Sequence, residues 1–109
     1  HAALLNQVSA EPFARAALAA GHLDRAVQLV ENDRTQSAAF TPELIYNVAV
    51  ALHESGKFEL AEQHYRRVMA AGPPFADAHI NLGHLLLAAG RPEDAESMWS
   101  EAAALETAA

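Results

Sequence analysis

The chain has 109 residues, a formal charge of −7 and no cysteine. That length makes one domain, and the missing cysteines exclude disulfides, thiolate chemistry and zinc–cysteine sites. The seven basic residues, Arg15, Arg25, Arg34, Lys57, Arg66, Arg67 and Arg91, form no stripe, so nucleic acid is excluded as a partner, and no apolar run is long enough for membrane insertion.

Apolar residues recur at spacings of three and four, so every predicted element is a helix. Residues 1–8 read as a truncated or disordered segment ahead of the domain, because the chain opens at His1 and its natural start is expected to be missing. Pro12 fits only the opening turn of a helix, which makes Ser9 the expected cap of a short first helix. A second helix is expected to end near Val30, and Asn32 to Ser37 read as a loop. Thr41-Pro42-Glu43 is a helix start, with a capping hydroxyl, proline in the first turn and an acid. Phe40 and Ile45 are spaced to staple that cap. The helix runs to about Ser55 and stops at Gly56. The next carries Phe58, Ala61, Tyr65 and Val68 and ends before Gly72-Pro73-Pro74. A fifth helix spans about Ala76 to Ala89 with Gly90 as its stop, and Arg91-Pro92-Glu93-Asp94 opens the sixth. Glu62 and Arg66 are one turn apart and are expected to pair.

The pattern repeats. Advancing residues 42–73 by 34 brings Asn47 onto Asn81, Leu52 onto Leu86, Gly56 onto Gly90, Ala61 onto Ala95 and Tyr65 onto Trp99 without a gap. A weaker copy lies upstream at an offset of 35, matching Ala14, Ala17, Gly21, Ala26 and Val30 to Ala49, Leu52, Gly56, Ala61 and Tyr65. A fixed period of this size marks stacked repeats that bury an apolar face only against a neighbour. The domain therefore occupies 9–109, with repeats at about 9–41, 42–75 and 76–109.

Two in-register copies carry a family resemblance. One reads His79-x2-Leu82-Gly83-x2-Leu86, Gly90, Ala95-x3-Trp99; the other reads Ile45-x2-Val48-Ala49-x2-Leu52, Gly56, Ala61-x3-Tyr65, closing at Pro73. This resembles the tetratricopeptide repeat. His79 and Ile45 depart from its tryptophan, and Thr107 departs from its closing proline. The resemblance implies an all-α fold, a right-handed α-solenoid of three helix-turn-helix repeats whose first helices line a concave groove. Small residues Ala14, Ala49 and Gly83 are expected to face Ala26, Ala61 and Ala95, with Tyr65, Trp99, Phe58 and Met98 filling the spaces beside them.

On that groove the middle repeat offers Glu43, Tyr46, Asn47, Val50 and His53. The last offers Asp77, Ile80, Asn81, His84 and Leu87, and the first Glu11, Arg15 and Leu18. Asn47 and Asn81 are the sharpest candidates, because an amide both donates and accepts and can hold the backbone of a peptide. One subset of the family grips chaperone C-terminal carboxylates with cationic side chains here, but Asp77 and Asn81 occupy the positions where its third repeat has lysine and arginine. A neutral or basic peptide is expected instead. His53 and His84 lack a third metal ligand, and His22 and His64 read as surface. No nucleophile triad or phosphate loop is present, so no catalytic residue and no cofactor is expected.

The expected function is a scaffold or adaptor binding a peptide segment. The alternatives are an assembly module joining copies through its terminal repeats, a homodimer in the simplest case, and a non-catalytic targeting domain of a larger enzyme. The assembly reading rests on Leu4, Leu5 and Val8 and on an outer side of the last helix that would expose Met98, Leu105 and part of Trp99. Six arginines against one lysine, with abundant alanine, fit a bacterial source, and a cytoplasmic location is expected, with a periplasmic one as the alternative for a chain without cysteine.

Overall fold

The Thr41 hydroxyl accepts from the Leu44 amide at 3.3 Å, and Pro42 follows in the first turn, so the third helix starts where the cap sequence places it. The computed structural model describes residues 11–31, 41–71 and 75–107. It contains α1 (Glu11–Ala19), α2 (Leu23–Glu31), α3 (Pro42–Glu54), α4 (Phe58–Ala71), α5 (Ala76–Ala88) and α6 (Pro92–Thr107), with no strand among the described residues. Ser9, Phe40, the loop over 32–37, Pro73 and the apolar residues at 4, 5 and 8 lie outside them.

The three turns within repeats share one hydrogen-bond pattern. Lys57 N–H bonds the Leu52 carbonyl at 2.9 Å and Gly56 N–H bonds that of His53 at 3.1 Å, with Gly56 at φ +81°. Gly21 and Gly90 hold the same left-handed conformation with the equivalent bonds. The residue after each glycine then starts the next helix: the carbonyls of His22, Lys57 and Arg91 accept from Ala26, Ala61 and Ala95. Neighbouring repeats are tied outside these turns by Lys57 to Asp24 at 3.0 Å and Arg91 to Glu62 at 3.0 Å, and Glu62 also holds Arg66.

Each helix packs on its partner within the repeat, and α2 and α4 then pack on the following α3 and α5. The first helices also touch, α1 with α3 and α3 with α5, whereas the backbones of α2, α4 and α6 stay apart from one another. The first-helix side is thus the closely spaced, inner side of the stack. Ala14, Ala26, Ala49, Ala61 and Ala95 are wholly buried, as small residues at close helix crossings must be. At Gly83 the opposing atoms belong to Trp99. A Cβ there would lie 2.6 Å from Cδ1 and 2.8 Å from Cε2 of the indole, whose Nε1 donates to the Ile80 carbonyl at 3.2 Å.

Three side chains differ from expectation. Phe58 is 41 % exposed, because it opens α4 at the turn and meets the His53 ring edge-on at 5.7 Å instead of entering the core. Met98 is buried and Trp99 and Leu105 are partly so, leaving the outer side of α6 to Glu93, Asp94, Glu96, Ser97, Ser100 and Glu101. His64, read as surface, is 4 % exposed.

Candidate functional site

Helices α3 and α5 present the groove residues, and the structure links them into a polar chain. The Asn81 amide donates to the Tyr46 hydroxyl at 2.6 Å, joining two helices through residues 35 apart. The Tyr46 ring is edge-on to Phe75 at 4.8 Å and tilted against Tyr65 at 6.1 Å. Tyr65 belongs to α4, yet its hydroxyl lies 3.2 Å from His53 Nδ1 on α3. Its phenol is wholly buried and spans from α4 to α3, so a core residue holds His53 from behind. Sequence periodicity marks Tyr65 as packing and gives no sign of this reach.

Burial sets the electrostatics. It pushes the Tyr65 phenol up to about 12, with the Tyr46 and Glu54 charges adding and the Asn81 amide opposing. Burial also raises Tyr46, assisted by the Asp77 carboxylate. His53 is held below the usual imidazole range, first by burial and then by the positive charge of His84, against the pull of Glu54. Near neutral pH these groups are therefore an uncharged set of donors and acceptors.

The other candidates divide. Asn47 is exposed and has no hydrogen-bond partner among the described residues. Leu87 is half exposed, Val50 and Ile80 are partly buried, and His84 is exposed with its ring edge-on to Trp99 at 5.5 Å. Arg15 is committed at the α1–α3 junction, where it bonds Glu11 at 3.3 Å and the Thr41 hydroxyl at 3.1 Å. Glu11 in turn accepts the Thr41 backbone N–H at 2.6 Å, adding a second cap to α3 from another helix. His79, in the family's aromatic position, donates from Nδ1 to the Phe75 carbonyl at 3.2 Å and has Nε2 3.5 Å from Glu101. Among the described residues no group of three or more histidine, aspartate or glutamate side chains is placed to hold a metal ion, and no helix is long and apolar enough to cross a membrane.

The comparisons agree with this architecture. A family model described as tetratricopeptide repeat matches residues 52–107, and a second of the same description matches 14–32. Comparison with curated proteins gives no match. With three helix pairs sharing one turn geometry and half the chain matched by one family model, the chain belongs to the tetratricopeptide repeat family.

Proposed function

We propose that the α3–α5 face binds a neutral or basic segment of a partner protein, with Asn47 and Asn81 bonding its backbone. Protein–protein interaction is the general work of this family, and the finer reading rests on one observation. Asn47 stands exposed, with no hydrogen-bond partner among the described residues, on the same helix as Tyr46, which the Asn81 amide holds at 2.6 Å. A peptide can take the Asn47 amide without breaking a bond in the protein. Leu87, Val50 and Ile80 supply apolar contact, and Glu43 and Asp77 favour a basic ligand over an acidic one.

Peptides of about twelve residues selected from a random display library are a suitable probe. Those competing for the groove should lose at least about tenfold in affinity for the Asn47→Ala/Asn81→Ala protein, because each lost amide leaves peptide groups unpaired. Unchanged affinity across all selected peptides overturns the reading. Self-association through the first repeat is the second reading, and it rests on Phe13, 48 % exposed at the position where later repeats bury Val48 and Leu82. With Met98 buried, the last helix offers that reading only the partly buried Trp99 and Leu105.

A further inference from the structure

On the opposite side from the groove, α2 and α4 leave a cleft of about 300 Å³ lined by Glu31, Gln63, His64 and Arg67. His64 stands there in register with Leu29 and Met98, so two repeats place an apolar side chain where the middle one buries an imidazole. An apolar residue would fill this position at no desolvation cost, whereas a buried polar group needs a partner for each polar atom.

One ring nitrogen is satisfied. His64 Nδ1 lies 2.8 Å from the Leu60 carbonyl, which can only accept, so Nδ1 carries the proton. In the neutral ring Nε2 is then a bare acceptor, and it has no partner among the described residues. The charges lining the cleft are also unmatched. Glu31 and Arg67 form no ion pair with each other. One Arg67 N–H reaches the Val30 carbonyl at a long 3.4 Å, and its remaining N–H groups are unengaged among the described residues.

We infer that this cleft binds a small zwitterion of the free amino acid type. Its ammonium group donates to His64 Nε2 and Glu31, and its carboxylate is received by Arg67, with Gln63 able to serve either end. The cleft offers a buried acceptor, a carboxylate and a guanidinium that do not satisfy one another, within a volume at the lower end of small-molecule sites. A simple anion would meet Glu31 and leave Nε2 unpaired, and a simple cation would meet Arg67. Only a ligand with a donor cation at one end and an acceptor anion at the other matches all three. The site is separate from the groove, and neither reading depends on the other.

The probes are glycine, serine, lysine and glutamate, with N-acetylglycine and glycinamide as controls that each lack one charge. The readout is the 15N resonance of His64 Nε2 in the full chain. Free amino acids should move this resonance saturably at or below about 10 mM, and each control should bind at least about tenfold more weakly. Glu31→Gln and Arg67→Gln should each weaken glycine binding by a similar factor. His64→Leu, which copies Leu29 of the first repeat, should keep the amide spectrum of a folded chain while losing binding. The inference is overturned if no free amino acid moves the Nε2 resonance up to about 10 mM. It is equally overturned if the capped controls bind as well as glycine, or if the Glu31→Gln/Arg67→Gln double variant binds unchanged.

Discussion

The indole of Trp99 lies against the bare Cα of Gly83, in a space that a single methyl group would fill. The equivalent pair one repeat earlier is Ala49 and Tyr65, both wholly buried. The larger aromatic thus coincides with the smaller opposing residue.

Gly83→Ala should destabilise the chain. A glycine-to-alanine change inside a helix ordinarily stabilises by about 0.5–1 kcal/mol. Here the new methyl meets the indole, and overpacking of this kind costs about 1–3 kcal/mol, so the net sign is unfavourable. Urea unfolding followed by tryptophan fluorescence measures both the stability and the displaced ring. A more stable variant with unchanged fluorescence would show that Trp99 has room to move.

Gly56→Ala should also destabilise, for a different reason. Nothing lies within 4 Å of a Cβ built there, so the cost is backbone strain alone. At φ +81° that strain is about 1–2 kcal/mol. Gly56→Asn should recover part of the loss, since asparagine tolerates this conformation better, and thermal unfolding of the two variants tests the order.

The two groove asparagines should separate in stability. Asn47→Ala removes no bond within the described residues and should leave the unfolding midpoint unchanged. Asn81→Ala removes the bond to Tyr46 and should cost about 0.5–1.5 kcal/mol, the usual net worth of one hydrogen bond. Trp99→Ala should cost more than either, because it empties a packed space.

Acid should loosen the α1–α3 junction. Glu11 is held below its ordinary 4.5 first by the Thr41 backbone N–H, against the cost of desolvation, with smaller help from the Thr41 hydroxyl and Arg15. A carboxyl with a depressed folded-state value contributes stability that is present above its unfolded value and is lost as pH falls through the folded one. The loss therefore begins near pH 4.5 and continues downward. Glu11→Gln should flatten this part of the stability profile in melts taken across the acid range. An identical acid dependence in the variant would assign the loss to other carboxyls.

Helix positions were legible because caps and stops are local. Thr41-Pro42, Gly56, Gly90 and Arg91-Pro92 each announce a boundary within a few residues, and the structure places one at each. That Tyr46 and Asn81 share a face of the first helices was likewise readable from repeat register. Their mutual bond was not, since it depends on the lateral distance between α3 and α5. His64 was misread for a related reason. In an alanine-rich helix a polar residue beside Tyr65 looks solvated, and its burial comes from packing with other helices that no local pattern encodes. Met98 admitted two readings, packing and exposure, because its periodicity fits either side of α6, and only the packing with α5 decides for the first.

The residue shared between two helices in each tight turn has a consequence for how such a chain can lengthen. His22, Lys57 and Arg91 close one helix and open the next, so no position there is spare. One inserted residue would turn the following helix by about 100° and swing Ala61, Tyr65 and Val68, or their counterparts, away from the core. Between repeats, α2 and α3 are separated by residues 32–41, and the extra residue of the first period falls in that connection. Tolerance to insertion should therefore alternate along the chain, low at the glycine turns and high between repeats, so that length variation changes the spacing of neighbouring units while each unit keeps its own register.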